Sequence, residues 1–383
     1  MAHEITKLDD VFLNAEGGAA WHGNGQLVKE HMGAVQGAEH IKLLWPVDQW
    51  GVTAGNEQSE GYMQLLAERL SYGDVAGAKA ALMLFNQSRI PIDSHVANVR
   101  IDNIDGEDIR HVLGFVSRDY KICQNRQLAE FCDALAQVSG KVVVETVGSI
   151  NGGQKVWFLV RGDSLNIGGV DKVTQYILAS NSHDGTNAIR LTPTNIRTVC
   201  SNTLHAVIPR VEEGRTILGD SVIAVRHQGK ISDKLGAAKV AIKFYEETQQ
   251  RMRETMERMN ESPVDSGKVE EVFASFYASE FTVADADSLS TPASAKERRL
   301  ADNRYERQKR AVSAFMSRYN REKRKLDLPD SKWLLFNGLS GWAQHDHRPT
   351  KGDAERIARN TESNLFGTNQ QRTVRALELV LSA

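Results

Sequence analysis

The sequence predicts an α+β protein, with an antiparallel meandering sheet that has helices packed on one face and a mostly helical C-terminal region after it. Residues 142–147 and 156–160 are two β-rich runs around an Asn-Gly-Gly turn, which is typical of a hairpin. The connections between the strand candidates that follow are too short for crossover helices, so an antiparallel arrangement is favoured. From Ser232 onward, apolar residues recur at helical spacing.

These patterns divide the chain into three predicted regions. Residues 1–110 form a glycine-rich loop, which includes a turn at 20–25, followed by helical sequence. Residues 111–260 form the α+β core, with the sheet and a long helix. Residues 261–383 form a helical region that contains a basic helix at 296–325.

The individual elements follow from periodicity and from turn residues. Predicted strands cover residues 112–117, 142–147, 156–160, 176–179, 189–192, 196–200 and 222–226. Predicted helices cover residues 61–90, 125–138, 232–262, 268–277, 296–325, 333–344, 354–366 and 373–381. Residues 288–295 cluster Ser, Thr and Pro, so we expect a linker there.

Composition excludes several classes of protein. The chain has 383 residues, of which 41% are hydrophobic and 25% charged, so wholesale disorder is excluded. No apolar run approaches the about eighteen residues of a membrane span, and the start MAHEITKLDD lacks the apolar core of a secretory signal. The three cysteines, Cys123, Cys132 and Cys200, fit neither a disulfide framework nor a zinc site. We expect a soluble cytoplasmic protein without membrane contact, bound metal or cofactor.

Charge is distributed unevenly along the chain. Between Lys296 and Lys325 lie twelve basic and four acidic residues, a net charge of +8, so the rest of the chain carries −10. A dense basic helix is suited to a phosphate backbone, and interleaved aromatic rings can stack on unpaired bases. The predicted nucleic-acid contacts on this helix are Arg304, Arg307, Lys309 and Arg310, with Tyr305 and Tyr319 for stacking. The alternative is a solvated face that balances acidic patches of this chain or of a neighbouring subunit.

A polar segment at residues 180–187 lies between two predicted strands, so we expect a loop displayed by the sheet. There Asn181 and Ser182 could hold a phosphate, and the segment also suggests an enzymatic hypothesis. His183 and Asp184 could act as an acid–base pair, and Cys200 with a histidine is the minimum for a thiol nucleophile. The candidate catalytic set is His183, Asp184, Cys200, Asn202 and His227. Turn chemistry and a buried, inert cysteine are the favoured interpretation, because adjacent residues in a turn seldom point at one target.

Other site patterns are excluded or weak. The glycines at 148–153 are not followed by Lys-Ser/Thr or by a helix, so they do not form a phosphate-binding P-loop, and no dinucleotide fingerprint exists. The run His345-Asp346-His347 offers metal-ligand chemistry, but its two histidines lie on different faces of a helix end, which favours a polar terminus.

Several short motifs stand in one order along nearly the whole chain. They are Ala20-Trp21-His22-Gly23, Leu113-Gly114-Phe115-Val116 with Tyr120 and Gln124-Asn125, Gly148 to Gly153 with Val156-Trp157, Asn181-Ser182-His183-Asp184-Gly185, Arg197 to Leu204, Arg226-His227-Gln228-Gly229, and Glu362 to Gly367. In this order they resemble a family of phage- and plasmid-encoded proteins, the domain of unknown function 932 family. Two departures are a longer leader before the Trp-His-Gly run and Cys200-Ser201-Asn202 in place of Cys-Asn-Asn.

The resemblance implies a mobile-element protein that acts in a bacterial cytoplasm and is often encoded near replication or recombination genes. The predicted order of elements is also similar to the core of Rad52-type single-strand annealing proteins, which form rings on unpaired DNA. Further predicted phosphate contacts lie on or beside the strands: Lys141, Lys155, Arg161, Arg190, Arg197 and Arg226. The leading hypothesis is therefore a homo-oligomer that binds and anneals single-stranded DNA without catalysis. The alternatives are the enzyme described above and an anti-defence or regulatory interaction protein.

Overall fold

The α+β class is confirmed by the computed structural model, which combines antiparallel sheets with helices and ends in a helical region. It describes residues 10–12, 26–27, 32–197, 202–205, 207–212, 215–220, 223–228, 238–281, 295–346, 363 and 368–382. Among the described helices, none combines the length and hydropathy that a membrane crossing requires. The turn expected at 20–25 and the helix expected at 354–366 lie outside the described residues, apart from Ser363, and so does the linker expected at 288–295, apart from Ala295.

The described elements are as follows. The strands are β1 (Asp10–Phe12), β2 (Gln26–Leu27), β3 (Val47–Ala54), β4 (Ile90–Ile104), β5 (Glu107–Ser117), β6 (Val143–Ile150), β7 (Lys155–Ile167), β8 (Asp171–Ser182), β9 (Ile189–Arg197), β10 (Asn202–His205), β11 (Val207–Glu212), β12 (Arg215–Asp220) and β13 (Ile223–Val225). The helices are α1 (Ala34–His40), α2 (Glu57–Ser71), α3 (Val75–Gln87), α4 (Asn125–Ser139), α5 (Ala238–Glu261), α6 (Val269–Glu280), α7 (Ala295–Leu326), α8 (Lys332–Gly341) and α9 (Thr368–Ser382). A π-helical turn, Trp342–Asp346, follows α8.

The main sheet has the strand order β10-β9-β8-β7-β6-β1-β2, with β13 pairing beside β10 on the outer edge of β9. Its pairs are antiparallel except β1–β2, so the predicted meander from β6 to β9 is confirmed. The predicted hairpin turn is present: Asn151, Gly152 and Gly153 have φ of 57°, 65° and 99°, a region that Asn and Gly tolerate best.

Two strands predicted at 189–192 and 196–200 are a single strand, β9, as far as Arg197. Pro193 lies between the segments of β9 that pair with β13 and with β10. A proline lacks the backbone N–H that pairs a strand with its neighbour. Pro193 lies where this edge of β9 changes from one partner strand to the other, so the missing N–H is tolerated there. The strand therefore continues through a residue that normally marks a break.

Residues before 110 hold more sheet than the sequence indicates. The helical prediction for 61–90 is confirmed as the α2–α3 hairpin, but α1, β3 and β4 were not predicted. Strands β3, β4 and β5 form a separate antiparallel sheet, and the predicted region boundary at 110/111 falls inside β5. Ala38 and Trp45 share one core cluster with α4 and the main sheet, so residues on both sides of that boundary fold together.

Helix α4 covers one face of the main sheet. It begins after Gln124, whose side chain and that of Gln127 form a capping box, and it ends at Gly140 in the left-handed conformation (φ 61°). Its predicted apolar face, which includes Leu128 and Leu135, is fully buried against β6, β7 and β8. The opposite face of the sheet carries a second buried cluster around Trp157.

The C-terminal helices have their own apolar core, to which α5 contributes three methionines and α6, α7 and α8 contribute most of the aromatic rings. This core is joined to the main sheet at the turn between β7 and β8. There the indole Nε1 of Trp333 donates to the buried Asp171 carboxylate over 2.8 Å. Since both groups are removed from water, losing Asp171 leaves the buried indole N–H without this acceptor.

We predict that Gly114→Ala destabilises the fold by about 1–3 kcal/mol, because overpacking a filled site forces the backbone to shift. A Cβ at Gly114 would lie 2.6 Å from the Cα of Asp184, where β5 crosses the end of β8. Urea unfolding measures the change in the free energy of unfolding. The matched control is Gly51→Ala in β3, where a Cβ meets no atom within 4 Å; equal losses for the two variants would contradict the prediction.

Candidate functional site

The predicted basic helix is α7, whose 32 residues span about 48 Å at 1.5 Å per residue. Its two halves have different environments. In the C-terminal half, Ala311, Phe315 and Tyr319 recur every four residues and are buried in the C-terminal core. In the N-terminal half, from 296 to 310, only Ala301 is buried, so nearly every side chain is exposed to solvent.

Ten of the twelve basic residues of this segment are exposed. They are Lys296, Arg298, Arg299, Arg304, Arg307, Lys309, Arg310, Arg321, Arg324 and Lys325. In the part of the chain that the structure describes, none of these ten forms an ion pair with a carboxylate. The positive charge on the outer surface of α7 is therefore available to a partner.

The two remaining cations anchor the helix. Arg318 is buried and its Nη1 donates to Glu322 Oε1 over 3.1 Å, while the same guanidinium bonds Asp346 of the π-helical turn. Lys323 pairs with Asp330, and the two bonds that Asp330 receives outweigh its partial burial and lower the pKa of its carboxyl. These pairs fasten α7 to the residues on either side of α8. Asp346 thereby lies at a polar helix end, which is what the sequence favours.

Three of the exposed arginines form a stripe along α7. Arg299, Arg310 and Arg321 are eleven residues apart, which is about three turns and about 16 Å between neighbours. At about 100° per residue this stripe lies roughly opposite the buried positions Phe315 and Tyr319. These three arginines thus face away from the C-terminal core.

The two predicted stacking residues differ in exposure. Tyr305 is 49% exposed among the arginines, so its ring is accessible to a partner. Tyr319 is 3% exposed, its hydroxyl donates to Asp330 over 2.8 Å, and burial raises its pKa. The prediction of a stacking role for Tyr319 is therefore not met in this structure, because the ring is packed in the core.

The cations on the main sheet do not form one continuous track. The strand register places Lys155 beside the end of β8 and Arg190 opposite Ser180. Arg161 lies at the far end of β7, about 20 Å from Lys155 at 3.3 Å per residue. Arg226 follows β13 near the Arg190 end, and Lys141 precedes β6 near the Arg161 end. Arg197 ends β9 at that second end. The six predicted contacts are therefore two separate groups.

One of these groups borders a cavity. Lys141 and Arg253 line a space of about 220 Å³ between α5 and the sheet, together with Tyr245 and Gln249. The Tyr245 hydroxyl occupies the room left by the missing side chain of Gly162, and it has no hydrogen-bond partner among the described residues. Carboxylates also line this space, so it is not a purely cationic site.

His183 is buried, not displayed on a loop as the sequence predicts. It follows β8 directly and is fully enclosed, with its Nε2 2.8 Å from Asn125 Oδ1 of α4 and 3.3 Å from the Asn181 amide. Its backbone carbonyl accepts a 2.7 Å bond from the Asn98 amide of β4. Burial, followed by the nearby His227, lowers the pKa of His183 to about 3, so the ring is neutral at pH 7.

Asp184 makes the turn that the sequence favours. Its Oδ1 accepts from the Thr186 backbone N–H over 3.0 Å and from the Thr186 hydroxyl over 2.7 Å, and it also bonds the Ser182 hydroxyl. His183 points inward and Asp184 bonds the turn, so the two do not form an acid–base pair. The enzymatic hypothesis loses its central contact.

Of the other members of the candidate catalytic set, His227 lies near His183 but makes different contacts. His227 stacks on Tyr120 with ring centroids 4.2 Å apart, and its Nδ1 lies 2.9 Å from the Lys121 carbonyl. Asn202 begins β10, and Cys200 lies outside the described residues. Within the described residues, no group of three His, Cys, Asp or Glu side chains is placed to hold a metal ion.

A buried thiol lies beside this cluster. Cys123 is fully buried, and burial raises its pKa to about 12, so the thiolate that a nucleophile requires is not formed near neutral pH. Its carbonyl accepts a 2.9 Å bond from the Asn181 amide. Asn98 and Asn125 were not predicted as site residues; Asn125, like Asn181, stood in the resemblance motifs, whereas no signal in the sequence marked Asn98.

We predict that His183 makes stability depend on pH. Folding favours the neutral ring, so this contribution is complete above about pH 6.5 and is lost as the pH falls toward about 3. Between about pH 6 and pH 4, the wild type should lose on the order of 2 kcal/mol more than His183→Gln, since a full proton difference is worth 1.36 kcal/mol per unit. Urea unfolding at several pH values measures this difference. Parallel pH curves for the two proteins would show that His183 is not held neutral.

A comparison with protein families gives one match. The family model described as "Domain of unknown function (DUF932)" matches residues 112–376, which is more than half of the chain. The matched range includes Tyr120, Asn125, Asn181 and His183 as well as all of α7. Neither a curated protein nor a solved structure matches the chain. The chain therefore belongs to the DUF932 family, and its match to the family model begins on β5.

Proposed function

We propose that the protein binds nucleic acid along the outer surface of α7 and acts without covalent chemistry. The observation that carries this proposal is the set of ten exposed basic residues on α7, none of which forms an ion pair in the described part of the chain. A solvated face that balanced nearby acidic residues would place carboxylates against these cations. No such ion pair forms among the residues that the structure describes, which favours an external polyanion.

The distribution of charge supports a polymer of phosphates as the partner. The cations recur along about 48 Å of helix, so a ligand with one or two charges would neutralise only a small part of them. Binding a phosphate backbone releases condensed counterions at each contact, which makes a row of cations more effective than a single site. The acidic remainder of the chain directs such a partner to α7.

Tyr305 favours unpaired strands over duplex. Its half-exposed ring shares a helix face with Lys309, one turn on, and with Arg298, two turns back, and a ring beside cations stacks on an unpaired base of any sequence. The narrower proposal is a homo-oligomer that anneals single-stranded DNA in recombination. The resemblance stated above supports a phage or plasmid product in a bacterial cytoplasm as its setting.

We predict that removing the arginine stripe weakens binding to a labelled single-stranded oligonucleotide. The variant Arg299→Gln/Arg310→Gln/Arg321→Gln should lose roughly 10- to 100-fold in affinity at low salt, and its log–log salt slope should fall by about 2, at about 0.7 per phosphate contact. Fluorescence anisotropy at several salt concentrations measures both quantities. Glutamine preserves helix propensity, so α7 should remain folded.

The matched control removes three exposed cations from another helix, Lys243→Gln/Arg251→Gln/Arg258→Gln in α5. This control has the same change in net charge and should keep the wild-type salt slope. If both triple variants lose the same affinity, general charge and not α7 determines binding. If wild-type protein shows no binding at low salt, the proposed function is wrong.

We predict that Tyr305→Leu selectively weakens binding to single strands. Loss of one base–ring stack costs about 1–3 kcal/mol, or roughly 5- to 150-fold in affinity, whereas a duplex offers no unpaired base. Anisotropy with single- and double-stranded oligonucleotides of equal length measures the ratio. Leu300→Ala, at an exposed apolar residue on the same half of α7, is the control. Equal losses for both DNA forms would exclude stacking by Tyr305.

A further inference from the structure

The α2–α3 hairpin exposes an unusually apolar surface. In the thirteen residues of α3 the only charged residue is Lys79, and a helix that is apolar on all sides is normally buried. One side of α3 packs on α2 through Ala78 and Ala81. On other sides, Val75 and Met83 are each 62% exposed. Among the described elements, α2 and α3 pack extensively only on each other.

The exposed area is large enough for a stable interface. Eight large apolar side chains of the hairpin and its exit into β4 are 40–77% exposed: Met63, Leu70, Tyr72, Val75, Leu82, Met83, Leu84 and Ile90. Only Tyr72 among them is aromatic; at somewhat less than the about 150–250 Å² of an aromatic side chain, the eight together expose roughly 800 Å², spread over more than one side of the hairpin. Each partner in a stable protein interface gives about 800 Å². Soluble monomers rarely leave such a patch in water.

The β3–β4–β5 sheet has a second uncovered apolar surface. Trp50, Ala97 and Phe115 lie directly opposite one another across the three strands, so they share one face, and Val112 lies on that face too. Trp50 is 44%, Val112 57% and Phe115 63% exposed. The other face of the sheet holds Asn98, which bonds the His183 carbonyl and is fully buried. The outer face thus leaves Trp50, Val112 and Phe115 accessible, although the small Ala97 between them is buried and the Arg110 guanidinium lies 5.3 Å from the Trp50 ring.

We infer that a second copy of this chain covers both surfaces: the α2–α3 hairpin of one copy packs on the outer face of the β3–β4–β5 sheet of the next. A helix pair and an exposed sheet face are the two layers of an ordinary α/β sandwich, and each lacks its partner here. In this structure the hairpin does not supply that layer to its own sheet, because α2 and α3 make no extensive contact with the three strands.

The two surfaces differ, so the contact is head-to-tail and generates a ring or an open filament. The inference rests on the proposed function, because it supplies the homo-oligomer that annealing requires. Its measurement needs no nucleic acid, and neither surface includes α7.

The test uses two variants with one defective surface each, Met83→Glu on the hairpin and Phe115→Glu on the sheet. Native mass spectrometry and light scattering should show an oligomer for the wild type and a monomer for each variant alone. A mixture of the two variants should form a dimer and nothing larger, because one intact hairpin meets one intact sheet and the other two surfaces are blocked. Val170→Glu, a similarly exposed residue at the β7–β8 turn, is the control and should assemble as wild type.

Three results would overturn the inference: a wild type that stays monomeric at high concentration, a Phe115→Glu variant that assembles as wild type, or a mixture that forms no dimer. Circular dichroism and urea unfolding check that each variant is folded. Leu82→Glu and Val112→Lys replace the first pair if either is not. The monomeric variants should still bind a short oligonucleotide with the wild-type salt slope. An assembling wild type that binds no oligonucleotide would refute the proposed function alone.

Discussion

The buried His183 network holds together the parts on which the rest of the fold depends. It consists of His183 with Asn98, Asn125 and Asn181, and it joins β4, the start of α4 and the end of β8. Each amide makes its own contact to backbone: Asn125 to the Leu43 carbonyl over 2.7 Å, Asn181 to that of Cys123 and Asn98 to that of His183. Buried polar groups are costly unless they are bonded, so these contacts specify one arrangement of the two sheets. A neutral histidine suits this role better than a charged one, because an imidazolium at this depth would need a counter-charge.

The orientation set by this network explains why one face of the β3–β4–β5 sheet is covered and the other is not. The inner face is fixed against the His183 turn, where Gly114 leaves room for the backbone of Asp184. The outer face, with Trp50 and Phe115, consequently points away from the main sheet. Helix α7 is fixed separately, through the buried Arg318 contacts and the stacked rings of Phe273 and Phe315, 4.3 Å apart. The basic surface and the apolar surfaces thus belong to different parts of the chain. Substitutions can therefore alter nucleic-acid binding and assembly independently.

The sequence predicted most elements after residue 110, because periodicity and turn residues are local signals. It did not predict which parts of an element would be covered. Tyr305 and Tyr319 are fourteen residues apart and lie on nearly the same face of α7, but one is exposed and the other buried, since the helix runs beyond the core that packs on it. Similarly, the polar run around His183 looked like a displayed loop, although its side chains bond one another and α4 inside the protein. Strand β3 has mostly exposed side chains, so it showed no apolar pattern from which a strand could be predicted. In each case the outcome depends on contacts that are distant in sequence.

A single α7 is a modest site for a strand, because its stripe arginines are about 16 Å apart and long exposed side chains lose conformational entropy when they are ordered. Assembly strengthens the binding of a strand without adding a contact between the strand and any one copy. Once one helix holds a strand, the next copy meets it at an effective concentration set by the geometry of the interface, which multiplies weak affinities. The affinity of a head-to-tail array should therefore depend on oligonucleotide length in steps of one copy, whereas that of a monomer should rise smoothly with the number of phosphates. The apolar hairpin and the basic helix are in this sense parts of one function, although no contact between them is required.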